Sequence, residues 1–209
     1  MAWVEDHAIF GRKGAGKSAL GLYLMRQRQD GVLWWDPNDD LLVPPWAIEA
    51  GPHSSLVALR AALKAGAKVI FHAGEADDDL LRRQVAVLCQ IVKEARASFR
   101  VDECHLVLGQ GRGEPTCLDY ARRSRHLAGD FGAYSTNPQH VDNSLMYVGA
   151  VLYLFDCPGV EPWLKHYGHD GPAIMERVRA AGDHAFVRVD GRRVDGPYRL
   201  SAAQLDHTA

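Results

Sequence analysis

One stretch constrains this chain more than any other: Gly11-Arg12-Lys13-Gly14-Ala15-Gly16-Lys17-Ser18. Its spacing is G-x-x-x-x-G-K-[ST], the form of a phosphate-binding loop. The flanks suit the motif. His7-Ala8-Ile9-Phe10 is a short apolar run that reads as a buried strand, and Ala19-Leu20-Gly21-Leu22-Tyr23-Leu24-Met25 opens a helix. Glycines let backbone N–H groups converge on phosphate oxygens, since no Cβ blocks the approach. The helix N-terminus adds partial positive charge at the same point. In such a loop Lys17 reaches the β- and γ-phosphates of a nucleoside triphosphate, and the Ser18 hydroxyl is one ligand of Mg²⁺.

The remaining residues alternate between strand and helix patterns. A helix is expected over Lys17 to Gln29, followed by a strand at Val32-Leu33-Trp34-Trp35 and an Asx–Pro turn at Asp36-Pro37-Asn38-Asp39-Asp40. Leu41 to Pro52 holds three prolines and reads as irregular. Ser54 or Ser55 caps a helix that carries Leu56, Leu59 and Leu63 and stops at Gly66. Lys68-Val69-Ile70-Phe71-His72 is a third strand. Asp77-Asp78-Asp79 opens the longest helix, whose stripe is Leu81, Val85, Leu88, Val92 and Ala95. Further strands are expected at Ser98–Val101, Phe131–Ser135 and Val151–Phe155, and a closing pair at Ala185–Val189 and Tyr198–Leu200. Helices are expected over Leu118 to Ala128, His140 to Met146 and Ile174 to Ala180. This alternation means an α/β fold, a mostly parallel central sheet with helices on both faces. A nucleotide then lies at the carboxyl ends of the strands.

Hydrolysis needs more than binding: a cation held on the far side of the phosphates and a water in line with the γ-phosphate. Val101-Asp102-Glu103-Cys104-His105 supplies both. Asp102, at the end of a strand expected beside that of the loop, holds Mg²⁺ through water. Glu103 is placed to orient the attacking water or take its proton. Kinases often lack the second carboxylate, so the pair favours an ATPase. Asn137, at the end of a later strand, can sense the γ-phosphate or position the water; Gln139 is the alternative amide. Arg122, Arg123 and Arg125, with His126, form a basic group whose guanidinium can act from a neighbouring subunit. Gly109-Gln110-Gly111-Arg112-Gly113-Glu114-Pro115 is a flexible loop with one arginine, either a plain connection or a segment that touches a DNA backbone. His166 and His169 read as surface residues.

The formal net charge of −2 does not suit a surface that coats nucleic acid, so any DNA contact must be local. Four scattered cysteines without C-x-x-C spacing point to a reducing cytoplasm. The start lacks a signal-peptide pattern, and no apolar run is long enough to span a bilayer.

Taken together, GRKGAGKS, Trp35-Asp36-Pro37, VDECH and Arg125-His126 before FGAYSTN resemble the FtsK–HerA superfamily of DNA-pumping ATPases. The likeness is strongest to the genome-packaging ATPases of tailless, membrane-containing viruses. It implies a three-layer P-loop NTPase of the RecA/ASCE type, one ATPase domain over residues 1–209, with ATP and Mg²⁺ as ligands. It further implies a ring, a hexamer, with ATP between subunits, double-stranded DNA through the pore, and a viral vertex or membrane protein as partner, working in the host cytoplasm or at the virion vertex. Arg125 is the arginine most like the family's, with Arg122 second. The family carries Gln where this chain has Asn137. A related phage assembly or secretion ATPase, a small-molecule kinase and a regulatory nucleotide-binding module are the alternative readings.

Overall fold

The computed structural model describes residues 6–111, 113–124, 129–143, 145 and 151–201. Its strands are β1 (His7–Phe10), β2 (Val32–Asp36), β3 (Ile48–Ala50), β4 (Lys68–His72), β5 (Ser98–Val101), β6 (Phe131–Ser135), β7 (Val151–Phe155), β8 (Ala185–Asp190) and β9 (Arg193–Arg199). Its helices are α1 (Lys17–Arg26), α2 (Leu56–Lys64), α3 (Asp78–Ala95), α4 (Pro115–Arg123), α5 (Glu161–His166) and α6 (Gly171–Ala180). The strands form one sheet in the order β3-β4-β2-β5-β6-β1-β7-β8-β9. From β3 through β7 every neighbour is parallel; β8 and β9 close the edge antiparallel.

Parallel strands covered on both faces have no solvent side, which is why VLWWD and VLYLF are buried throughout. Successive side chains point to opposite faces. Phe10, Leu33 and Trp35 therefore join one core, and Ile9, Val32 and Trp34 the other. The two faces are covered unequally. On the second face the helical cover is α1, through Leu20, Leu22, Leu24 and Met25. The buried hydrophobic side chains of α2 to α6 all belong to the first. The predicted stripe of α3 is buried at every position, and the Asp77 carboxylate caps that helix by accepting the Leu80 N–H at 2.8 Å.

Because seven strands run the same way, their carboxyl ends share one edge, which gathers Gly11, Asp36, His72, Asp102, Thr136 and Asp156. Here one expectation needs correcting. The strand that ends at Asp102 is not beside the strand of the phosphate loop, since β6 lies between β1 and β5. Hydrophobic pattern specifies that a strand is buried but carries no information about which strand it pairs with. Other differences are local. Helix α1 ends at Arg26 rather than Gln29. Helix α4 begins at Pro115 rather than Leu118, because the Glu114 carboxylate accepts the Cys117 N–H at 2.6 Å and proline suits the first helical turn. Residues 125–128, the rest of that expected helix, lie outside the described residues. In place of a helix from His140, a 3₁₀ turn spans Pro138–His140, and Val141 bridges Gly109 antiparallel; Ser144 and Met146 lie outside the described residues. Strand β3 and helix α5 were not expected at all.

Candidate active site

The loop between β1 and α1 is held from both sides. Gly11 N–H donates to the Ser135 carbonyl at the end of β6, and Arg12 N–H to the Asp156 carbonyl just beyond β7, each at 3.3 Å. Gly14 and Gly16 have φ of 77° and 105°, values that side chains rarely adopt. A Cβ on Gly16 would also come within 2.9 Å of Leu200 Cδ1. The loop's amides therefore converge because glycine occupies these two positions. Lys17 is buried at the first turn of α1, and its Nζ donates to the Arg12 carbonyl at 3.3 Å.

A cavity of about 480 Å³ opens on one side of the loop. Lys13, Gly14, Lys17 and Ser18 line it together with Asp102 and Glu103. The phosphate-loop residues and the two acids predicted from sequence thus share one cleft. The opposite wall is the segment after β2, residues 38 and 40–44. Asp36 builds that wall. Fully buried, it accepts the Asn38 N–H at 3.1 Å and the Leu41 N–H at 2.9 Å, and His72 Nδ1 donates to it at 3.1 Å.

The two acids differ in their surroundings. Asp102 is buried, and burial drives its pKa up to about 7; the Glu103 and Asp36 charges add to the rise, while the Glu103 N–H and Lys17 oppose it. Glu103 moves the other way. Burial pushes its pKa up too, but hydrogen bonds from His105 and Thr136 and the charge of Lys17 outweigh that and leave the carboxyl below its ordinary value. One oxygen, Oε2, accepts from Thr136 N–H at 3.1 Å and from Thr136 Oγ1 at 3.0 Å, and lies 3.3 Å from His105 Nδ1.

The site fits Mg²⁺. A hard cation of this kind takes oxygen ligands, and commonly only one or two from protein beside the substrate's phosphates. Ser18 and Asp102 offer a hydroxyl and a carboxylate in the same cavity. A buried carboxylate with a raised pKa is also what a cation would stabilise in its ionised form.

Other predicted residues lie elsewhere. Asn137 and Gln139 are not among the residues that line this cavity. The Asn137 N–H donates to Ser135 Oγ at 2.9 Å, and the Gln139 side chain packs against Gly159 and His140. Arg122 and Arg123 are exposed in the last turn of α4, where Arg123 pairs with Asp119 at 2.8 Å. The next residue, Ser124, donates to Asp6, which precedes β1, at 2.6 Å. That places this end of α4 at the amino edge of the sheet, away from the chain's own phosphate loop. Arg125, His126 and Arg112 lie outside the described residues.

A second cavity, of about 410 Å³, lies on the other flank of the loop and shares Lys13 and Gly14 with the first. Asp156 bridges two arginines there, Arg12 at 2.9 Å and Arg179 at 3.2 Å, and His184 Nδ1 donates to the Ala15 carbonyl at 3.2 Å. Sequence reasoning missed Asp156, Arg179 and His184, and gave no role to Asp36, His105 and Thr136. Arg179 lies in α6; the others sit at or just beyond strand ends on the loop's edge, so position beside a buried strand was the available signal.

A loop of this form at the carboxyl edge of a parallel sheet, with helices on both faces, defines an α/β P-loop NTPase fold. Solved structures share it closely. The genome packaging NTPase B204 of Sulfolobus turreted icosahedral virus 2, in complex with ATP-gammaS, matches with a TM-score of 0.72 at 13% identity, over 95% of this chain and 98% of that one. B204 of Sulfolobus turreted icosahedral virus, described as the DNA-packaging ATPase, matches at 0.68 with 14% identity, over 94% and 98%. VirB4 of Thermoanaerobacter pseudethanolicus matches at 0.63 with 12% identity, over 96% and 90%. The sequence matches no family model and no curated protein. The likeness is therefore one of fold, and it extends over nearly the whole chain.

Proposed function

We propose that the chain is a single-domain, Mg²⁺-dependent ATPase that works as a DNA translocase, of the kind that packages a viral genome. The observation that carries the reading is the shared cavity: Lys17 and Ser18 on one wall, Asp102 and Glu103 on another. Small-molecule kinases often lack a second carboxylate beside the one that holds Mg²⁺, so Glu103 favours hydrolysis, in which water is the acceptor. The coupling to duplex DNA rests on the fold shared with the packaging NTPase over 95% of this chain.

In this reading Lys17 and the loop amides bind the β- and γ-phosphates, with the γ-phosphate in the cavity that holds Glu103. The nucleoside end then occupies the second cavity, on the other flank of the loop. Ser18 and Asp102 hold Mg²⁺, which when bound neutralises charge on the phosphate oxygens. Water attacks the γ-phosphorus, the bond to the ADP oxygen breaks, and the water's proton passes to Glu103, giving ADP and phosphate. Asn137 or Gln139 is the proposed sensor of the γ-phosphate. Arg125 or Arg122 acts from a neighbouring subunit in a ring, in the host cytoplasm or at a virion vertex beside a vertex or membrane protein. No helix among the described residues is long and apolar enough to cross a membrane.

ATP hydrolysis measured with and without double-stranded DNA tests this. Strong stimulation by duplex supports translocation. Phosphate transfer to a nucleoside or metabolite would instead identify a kinase.

A further inference from the structure

Glu103 meets the cavity with one oxygen already committed. Two donors reach Oε2 from a single residue, the Thr136 N–H at 3.1 Å and the Thr136 hydroxyl at 3.0 Å. His105 Nδ1 lies 3.3 Å from the same oxygen. None of the described residues donates to Oε1. The groups come from two directions. Thr136 follows the last residue of β6, the strand between β5 and the loop strand, whereas His105 sits in the 3₁₀ turn Cys104–Leu106 directly after Glu103. Ser135 ties the two together: its Oγ lies 3.0 Å from His105 Nδ1 and accepts the Asn137 N–H at 2.9 Å.

A glutamate side chain is long and rotamer-rich, and an unanchored one spends little time in any single pose. Charge-assisted hydrogen bonds on one oxygen remove most of that freedom and leave the other oxygen to act. We propose that Thr136 and His105 are positioning residues for Glu103, clamping Oε2 so that Oε1 is presented to water in the cavity. This rests on the reading of Glu103 as the residue that activates water. The clamp gives Thr136 a role of its own at the tip of β6, beside the sensing role proposed for Asn137 or Gln139. It also makes the pose of Glu103 depend on where the end of β6 stands relative to β5, so a shift between these strands would change the rate of hydrolysis without touching the nucleotide.

The test uses the full chain, with steady-state ATP hydrolysis and binding of a fluorescent ATP analogue. Thr136→Val and His105→Ala should each lower kcat by about tenfold, with KM and analogue affinity within about twofold of wild type, because orientation and not binding is lost. Thr136→Ser, which keeps the hydroxyl, should recover most of the Thr136 loss. In a Glu103→Gln background, Thr136→Val should change the residual rate by less than about twofold, because both act through one carboxylate. A slow Glu103→Gln variant beside Thr136→Val and His105→Ala variants of wild-type rate would overturn the clamp alone. So would losses that multiply in the double variant, or losses confined to KM. Wild-type turnover by Glu103→Gln would overturn the underlying reading instead. If Thr136→Val does not fold, His105→Ala alone and combined with Glu103→Gln decides on the same criteria.

Discussion

The backbone N–H of Glu103 donates to the carboxylate of Asp102 at 2.9 Å, and Glu103 adopts φ 38°, ψ 48°. Along a continuing strand, neighbouring side chains point to opposite faces of the sheet. The chain leaves β5 at Val101, and the left-handed turn at Glu103 brings both carboxylates to the one cavity that holds Lys17. Non-glycine residues adopt this backbone at a cost of about 1–3 kcal/mol, and such strain is typical of functional sites.

Glu103→Gln keeps the shape of the side chain and removes its basicity. ATP binding should persist while hydrolysis falls by about 10²- to 10⁴-fold, the usual contribution of a positioned general base. Filter binding of labelled ATP beside a phosphate-release assay separates the two effects. An unchanged release rate removes Glu103 from the mechanism.

Lys17→Ala removes the buried ammonium at the floor of the loop. Affinity for ATP should fall by about tenfold or more, as expected for a charge-assisted contact of about 1.5–3 kcal/mol. Isothermal titration with a non-hydrolysable analogue measures it. Undiminished binding would reject the phosphate-loop assignment.

Asp102 makes stability depend on pH. Its pKa is about 7 in the folded chain and about 4 in an unfolded one, so between these values the folded state holds the extra proton. Stability is therefore favoured below about pH 4 and is lost as pH rises toward 7, by on the order of 4 kcal/mol at most. Asp102→Asn has no such charge to bury. Without nucleotide it should melt higher than wild type at pH 8, by a wider margin than at pH 5. Mg²⁺ with ATP should narrow the gap at pH 8, because only the wild type keeps the carboxylate that would hold the cation and so gains more from the ligand. Equal margins at both pH values would contradict the raised pKa.

Gly21 lies inside α1 against Trp34 and Tyr134, whose ring centroids are 4.5 Å apart. A Cβ there would come within 2.4 Å of Trp34 Cη2 and 2.5 Å of Tyr134 Cε1. Gly21→Ala should therefore destabilise the chain by about 1–3 kcal/mol, although alanine is the better helix former by about 1 kcal/mol. Chemical denaturation reads the difference, and a gain in stability would show that the aromatic pair can yield.

What the sequence disclosed follows from what each element buries. Val151–Phe155 is buried throughout, Lys68–His72 is buried at Val69, Ile70 and Phe71, and Ser98–Val101 is buried at every position although it carries Arg100; the expected bounds of all three agree with the structure. Ile48–Ala50 is a three-residue edge strand with exposed and half-buried side chains in a proline-rich stretch, so it carries no periodic signal. Helix α5 is six residues long with proline near its start, too short for a stripe. The closing strand Arg193–Arg199 is mostly exposed, and only its end at Tyr198 and Arg199 was anticipated. In the site, the loop and the acid pair were legible because their chemistry lies in contiguous residues. The contacts of Asp36 with His72, of His105 with Ser135, of Thr136 with Glu103 and of His184 with Ala15 form only when the strand ends share an edge.

The arginines carry the prediction that separates a ring from a single chain. Arg122 is at the amino edge of the sheet, as the Ser124 to Asp6 hydrogen bond requires, while the phosphate loop is at the carboxyl edge. A guanidinium there cannot serve its own nucleotide and must serve another subunit's if it serves any; Arg125, three residues on, is the other candidate. Arg122→Ala or Arg125→Ala should lower hydrolysis by about 10³-fold or more when the residue concerned acts across an interface. Mixed in equal amounts with Lys17→Ala chains, whose defect lies in the loop and not in the arginine, the arginine variant should regain activity. About a quarter of the interfaces in a random ring then pair an intact loop with an intact arginine. The assay is ATP hydrolysis over a range of mixing ratios, with assembly followed by light scattering. Mixed rings that assemble and stay inactive at every ratio would exclude the arginine concerned from action in trans.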